Sequence, residues 1–320
     1  MESESDFPAL DTNERFLAQV AWAYFVEDMT QAEVAQKLGV TRLRVNRALA
    51  EARKTGLVRI CFNTAYAAYA EAETELVKKF GLKVAYVAPA PSNPEKTQNV
   101  VGAALGNLLL NVLADSKVRL FGMAWGNTLN LATRSMAPLN RPDLEIVSVM
   151  GGLVRGSDLN SFEITVCLAG LVNARHSFLT APLYAGSRSS RDTIMQLEVF
   201  AEILGKIRSV DALAMTAGDI SERSMLMRDA LPSDTSIADL RSVGAVGDIL
   251  GTVIDAEGNP VEHPINNRVI GIGFSDLARI SNVILAAGGS HKFQVTRAIL
   301  NLGLVDTLVT DDEMARQLLA

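Results

Sequence analysis

The stretch from Thr30 to Lys54 restricts the fold more than any other part of the chain. Thr30-Gln31-Ala32-Glu33 places a hydroxyl N-cap three residues before a glutamate, the pattern of a capping box. Val34, Ala35 and Leu38 follow at helical spacing. Gly39 then ends that helix with a residue free to turn left-handed. Val40 is an apolar anchor, and Thr41 caps a further helix to Lys54 with Val45, Leu49 and Ala52 turned inward. An earlier helix is read over Arg15–Glu27, where Phe16, Leu17, Val20, Ala21, Tyr24 and Phe25 form one apolar stripe. Helix, short glycine turn, helix is the plan of a helix-turn-helix. An ordinary helical hairpin with a basic face is the competing reading.

In a helix-turn-helix the second helix enters the major groove, with its N-terminal residues nearest the base edges. Here these are Thr41, Arg42, Arg44, Asn46 and Arg47. Arginine can bond a guanine edge bidentately, and asparagine an adenine edge. Which arginine reads bases and which grips phosphate stays open at this level. Leu57-Val58-Arg59-Ile60 alternates as a short strand, a candidate wing with Arg59 toward phosphate. The whole chain carries −6, which argues against a protein that coats nucleic acid along its length. Between Gln36 and Arg59, however, Lys37, Arg42, Arg44, Arg47, Arg53, Lys54 and Arg59 face only Glu51. That is the footprint of a compact phosphate-facing patch, although a solvated helix face leaves the same trace in charge alone.

A chain of 320 residues, 48% hydrophobic and 21% charged, is globular and long enough for two domains. Beyond about Tyr66 helical stretches alternate with short apolar runs. Ala67–Phe80, ended by Gly81, reads as a helix that links domains or supports dimerisation. Strands are expected at Lys83–Val87, Val118–Gly122, Leu144–Met150, Ala212–Thr216, Ile270–Gly273, Val283–Ala287 and Thr307–Thr310. Helices are expected between them, notably Asn99–Leu113, Thr128–Ser135, Ser161–Asn173 and Gln294–Leu302. The fold class is therefore α/β: an N-terminal winged helix-turn-helix domain over 1–62, then a doubly wound, mostly parallel sheet domain over 63–320 that starts with a linker helix at 63–81. Met1–Pro8 is acidic and lacks an apolar run, so no signal peptide is expected, and no apolar stretch suggests a membrane span. Cys61 and Cys167 match no metal spacing and read as free, semi-buried thiols of a reducing cytoplasm.

Ligands of such sheets sit at strand carboxyl ends, near helix N-termini. Four glycine loops follow strands. Gly122-Met123-Ala124-Trp125-Gly126-Asn127-Thr128 runs into a helix and suits an anion, though it is neither a Walker loop nor a dinucleotide fingerprint. Gly151-Gly152 leads to Arg155. Gly244 to Gly251 holds Asp248, an acceptor for sugar hydroxyls. Gly288-Gly289-Ser290-His291-Lys292 offers a lysine for an anionic group. Each loop alone is as well explained by tight strand–helix turns.

Taken in order, these segments resemble the SorC family of sugar-responsive bacterial regulators. The resemblance runs from Thr30–Ala35, Gly39–Arg42 and Val45–Leu49 through Ala52–Val58 to the four glycine loops and Leu308–Ala315, almost the whole chain. Thr41 and Asn46 stand where that family usually has serine. The resemblance implies double-stranded operator DNA as one partner and a sugar, sugar phosphate or polyol as effector. It also implies self-assembly as a dimer or tetramer, and an effector domain similar to sugar-phosphate isomerases and deaminases. It matches a phosphate cradle to Gly126, Asn127 and Thr128 with the Lys292 loop, and a hydroxyl-binding acid to Asp248. The effector set so expected is Gly122, Trp125, Gly126, Asn127, Thr128, Gly151, Gly152, Asp248, Gly288, Gly289 and Lys292.

The alternative is a sugar-phosphate isomerase- or deaminase-like enzyme. It needs a poised acid or base. His176 reads as a buried structural residue, His263 as exposed in a proline-rich loop, and His291 as a neighbour of the ligand loop. No nucleophile arrangement or metal-spaced cluster is legible, so no catalytic residue, metal or cofactor is expected. An enzyme also leaves the basic first sixty residues unexplained.

Overall fold

A computed structural model describes residues 12–59, 69–153 and 160–320. Met1–Pro8, Ile60, Cys61 and Arg155, all singled out above, lie outside those residues. The chain divides into two compact units, Met1–Ile60 and Cys61–Ala320.

The first unit contains α1 (Thr12–Phe25), α2 (Gln31–Leu38) and α3 (Arg42–Lys54). The Thr30 hydroxyl accepts from the Glu33 amide at 3.3 Å, while the Glu33 carboxylate accepts from the Thr30 amide at 2.7 Å. That reciprocal box holds the Glu33 carboxyl below its ordinary pKa, the Thr30 backbone hydrogen bond being the main cause. Gly39 turns left-handed at φ 63°, and the Val40 amide donates to the Ala35 carbonyl at 2.9 Å to close the turn. Thr41 then caps α3 by accepting from the Arg44 amide at 3.2 Å. Leu17 and Val20 of α1, Val34 and Ala35 of α2, and Val45, Ala48, Leu49 and Ala52 of α3 close one small core. Phe25 does not join it. As the last residue of α1 it lies edge-on to Tyr24 and is exposed. The wing strand is not formed over Leu57–Arg59. There the Val58 amide donates to the Ala52 carbonyl at 2.9 Å and its side chain packs on the helical core.

The second unit alternates strand and helix. It runs α4 (Ala70–Phe80), β1 (Val84–Ala88), α5 (Thr97–Ala114), β2 (Leu120–Met123), α6 (Asn127–Ser135), β3 (Glu145–Ser148), α7 (Ser161–Leu171), β4 (Arg175–Ser177), α8 (Arg188–Gln196) and α9 (Glu198–Arg208). It continues through β5 (Ala212–Asp219), α10 (Ile237–Ser242), β6 (Gly247–Ile249), β7 (Thr252–Ile254), α11 (Phe274–Leu277), β8 (Val283–Ala286), α12 (Phe293–Asn301), β9 (Thr307–Asp311) and α13 (Asp312–Leu319). Parallel strands lie in the order β1-β9-β8-β5-β2-β3-β4. Crossovers through α5, α6 and α7 move one way along this order, and those through α9 and α12 move back. Right-handed connections therefore place the two sets of helices on opposite faces, which is double winding. The strands are apolar because both faces are covered: Phe121, Ile146, Leu213, Ile284 and Leu308 are all fully buried. Among the described residues only β6 and β7 break the parallel order, as a hairpin paired antiparallel to the end of β5.

Ile270–Gly273 is not a strand. Ile270 and Ile272 are buried, but the stretch makes single bridges such as Met150 to Gly271 rather than a ladder. The expected linker helix at 63–81 overlaps α4, which packs on β1 and α13 within the sheet unit. No helix among the described residues is long and apolar enough to cross a membrane.

Candidate functional site

The four inward residues Val45, Ala48, Leu49 and Ala52 fix the roll of α3. At about 100° per residue, Leu43 and Arg47 then project outward, Asn46 stands to one side, and Arg44 turns toward α1. The Arg44 guanidinium lies 4.8 Å from the Phe16 ring centroid of α1, a cation–π contact that ties it to the helical frame. Thr41, Arg42, Arg44, Asn46 and Arg47 are all exposed. So is Leu43, which the sequence reading did not single out.

In the sheet unit a cavity of 730 Å³ opens at the carboxyl ends of β2 and β5 and beside the loop that follows β8. Three constructions meet there. The first is the turn from β2 into α6. Gly126 sits at φ 131° and ψ 156°, where a side chain is strained, and a Cβ there would lie 2.7 Å from Thr216 Oγ1. The Thr216 hydroxyl donates to the Trp125 carbonyl at 3.1 Å, and Asn127 Nδ2 donates to Gln98 Oε1 at 2.5 Å. No side chain caps α6, so its first amides and its positive end face the cavity wall.

The second construction is the hairpin β6–β7, which brings Asp248 opposite Gly218 on β5. Asp248 is 4% exposed, and its Oδ2 accepts from the Gly251 amide at 3.1 Å. The Tyr184 hydroxyl holds the other side of that turn by donating to the Gly251 carbonyl at 2.6 Å. Burial pushes the Asp248 carboxyl up to about 7. The Gly251 hydrogen bond and the Lys292 charge pull down, and Asp219 pushes further up. Asp219 ends β5, buried, and accepts a hydrogen bond from Ser221.

The third is the turn Ser290–Lys292 that opens α12. The Gly289 amide donates to Asp311 Oδ2 at 2.7 Å, which docks this turn against the start of α13. Lys292 is 8% exposed, and no hydrogen bond or ion pair within the described residues engages its ammonium. Burial holds its pKa below the ordinary lysine value, against the pull of Asp219 and Asp248. His291, exposed beside it, is also lowered, chiefly by partial desolvation. The cavity thus pairs a lysine and two acids on one wall with a helix N-terminus on another. That is a donor and acceptor set suited to a hydroxylated, anion-bearing molecule.

Of the expected effector residues, Trp125, Gly126, Asn127, Thr128, Asp248, Gly289 and Lys292 line this cavity. Gly122, Gly151, Gly152 and Gly288 do not. A Cβ on Gly122 would meet Val149, one on Gly151 the Pro182 carbonyl, one on Gly152 the Asn160 side chain, and one on Gly288 Asp311. Those glycines serve close packing. The sequence reading missed Gln98, Thr216, Asp219, Arg223 and Ser224, all of which line the cavity. Asp219 carried a weak signal, an acid just past an expected strand. Arg223 and Ser224 carried none. His176 is exposed on the edge strand β4 rather than buried, His263 is half-buried and caps the turn Pro264–Arg268, and Cys167 is exposed on α7.

A family model described as a sugar-binding domain matches residues 65–320, and one for sigma-70 region 4 matches residues 14–55. The crystal structure of the full-length sorbitol operon regulator SorC from Klebsiella pneumoniae superposes with a TM-score of 0.69, at 26% identity, covering 97% of this chain and 100% of that one. The chain belongs to the SorC family of sugar-binding transcriptional regulators. Transcriptional regulator LsrR of Klebsiella pneumoniae is 28% identical over 311 residues, which is 96% of this chain and 93% of that protein. Erythritol catabolism regulatory protein EryD of Brucella abortus is 24% identical over 309 residues, 97% of this chain and 98% of that protein. Membership makes this a DNA-binding regulator under effector control. It also accounts for both units, as the enzyme alternative does not.

Proposed function

We propose that this SorC-family member controls a carbohydrate or polyol catabolic operon in the cytoplasm, binding double-stranded operator DNA with residues 1–62 and sensing its effector with residues 63–320. The observation that carries the sensing half is the convergence on one cavity of the α6 N-terminus, Asp248 and the buried Lys292. A lysine this buried, with only charges at a distance to answer it, is a poor structural element and a good ligand-binding one. Asn127 and Thr128 hold the anionic or hydroxyl end of a sugar, sugar phosphate or polyol through helix N-terminal amides. The Lys292 ammonium completes that cradle, and Asp248 holds hydroxyls at the other end.

On the DNA side, Arg47 and Asn46 face the base edges. Arg44, stacked on Phe16, sits at the rim where phosphates run, with Arg42 and Thr41 at the helix start. A dimer or tetramer supplies two such helices for the halves of a near-palindrome. The effector changes DNA affinity only by binding two arrangements of the assembly unequally.

A thermal-shift panel of sugars, polyols and their phosphates tests the sensing half, because a ligand bound only to the native state raises the midpoint with concentration. A rise confined to phosphates assigns Asn127, Thr128 and Lys292 to phosphate. A rise with free polyols keeps the sensor and removes the phosphate. No rise at millimolar concentration overturns the effector role of the cavity.

A further inference from the structure

Leu43 is 59% exposed in the first turn of α3, the one large apolar side chain on a face it shares with Arg47 and Ala50. It is absent from the core that α3 helps to close. The buried stripe Val45, Ala48, Leu49 and Ala52 fixes the roll, so Leu43 points almost directly away from it, at roughly 170°. Arg47 lies one turn further along the same face, and exposed Ala50 after that. Ala50 is small enough to let the helix lie close to a surface. The outward face of this recognition helix is therefore an aliphatic tip followed by an arginine, beside Asn46.

A base edge in the major groove offers donors, acceptors and one apolar group, the thymine C5-methyl. An arginine or asparagine gains nothing from that methyl, while an exposed leucine gains by covering it. We propose that Leu43 reads thymine methyl groups in the operator, giving α3 an apolar specificity contact that complements Arg47 and Asn46. The proposal rests on the reading of α3 as the groove-entering helix. It adds a preference that the polar residues do not supply.

The test uses the full chain and duplexes selected by it from a random-sequence pool. Each thymine is replaced singly by deoxyuridine, which removes only the methyl, and affinity is read by fluorescence anisotropy. At one or two positions the wild type binds the deoxyuridine duplex about fourfold more weakly, the share of one buried methyl. Leu43→Ala loses that discrimination, and Leu43→Met keeps most of it. Both variants retain the wild-type circular dichroism spectrum and thermal midpoint, since the side chain is outside the core. Wild type that binds its selected duplex yet ignores every methyl overturns the role of Leu43 and leaves α3 as the binding helix. Leu43→Ala that keeps full discrimination overturns it as well, assigning the methyl to another residue. A chain that selects no duplex at all overturns both readings.

Discussion

Substitution of Gly126 by alanine separates the effector site from the DNA-binding unit. Two costs follow from the geometry. Gly126 at φ 131° and ψ 156° occupies a region that side chains reach only at about 1–3 kcal/mol of strain. The new Cβ would also stand 2.7 Å from Thr216 Oγ1, so Thr216 must rotate and give up its 3.1 Å hydrogen bond to the Trp125 carbonyl. That bond contributes about 1 kcal/mol. Together they lower stability by about 2–4 kcal/mol, which for a unit of this size lowers the thermal midpoint by roughly 5–15 °C. If the turn yields instead, the first amides of α6 move, and effector affinity falls about tenfold or more through a lost hydrogen bond. The assay is a thermal scan with and without effector, beside DNA binding by anisotropy at a temperature where both proteins are folded. Basal DNA affinity stays at the wild-type value. In a Thr216→Ala background the same substitution costs only the strain share, because the hydrogen bond is already gone and the remaining side-chain atom, Cβ, is 3.7 Å away. A Gly126→Ala protein with wild-type midpoint and wild-type effector response refutes this account of the turn.

Lys292→Ala removes the buried ammonium and is expected to abolish the effector response while leaving DNA affinity unchanged. Equal loss of both, read by anisotropy, contradicts separate sites. Asp248 titrates near 7 in the fold against an ordinary 3.8, so the fold favours its protonated form. That contribution is full below pH 4 and is lost as pH rises through 7, so Asp248→Asn gains on the order of 4 kcal/mol relative to wild type across this range. Denaturant titrations at pH 4 and pH 8 check it, and a constant difference speaks against the buried acid. Arg44→Ala with Arg47→Ala weakens operator binding at least about a hundredfold at fixed salt. Singly, Arg47→Ala relaxes base preference, whereas Arg44→Ala weakens all sequences alike.

The helix-turn-helix was legible because its signals are local: Thr30 with Glu33, Gly39 and Thr41 each act within four residues of their partners. The parallel strands were legible because burial on both faces makes them continuous apolar runs. What escaped depends on distant partners. β4 (Arg175–Ser177) is polar because it is an edge, and the three-residue strands β6 and β7 turn at Leu250, a non-glycine residue at φ 52°. Asp219 matters because β5 runs three residues past its apolar run to meet that hairpin. Ile270 and Ile272 misled in the opposite sense, since an apolar plug in the core looks like a strand. Gly151 and Gly152 stand outside the cavity, packed against Pro182 and Asn160, because glycine serves close packing as readily as a ligand. The roll of α3 was legible in part. That Arg44 leans on Phe16 while Leu43 points outward required the fold.

The central claim is that occupation of the cavity changes DNA affinity. It is tested most directly by titrating the full chain onto its selected duplex, by anisotropy, with and without saturating sugar, polyol and sugar-phosphate candidates, in parallel with Lys292→Ala. The account predicts that at least one of these classes shifts the wild-type Kd, and that Lys292→Ala binds the duplex as wild type does but shows no shift. A wild-type Kd indifferent to every class, or a shift that survives intact in Lys292→Ala, contradicts it.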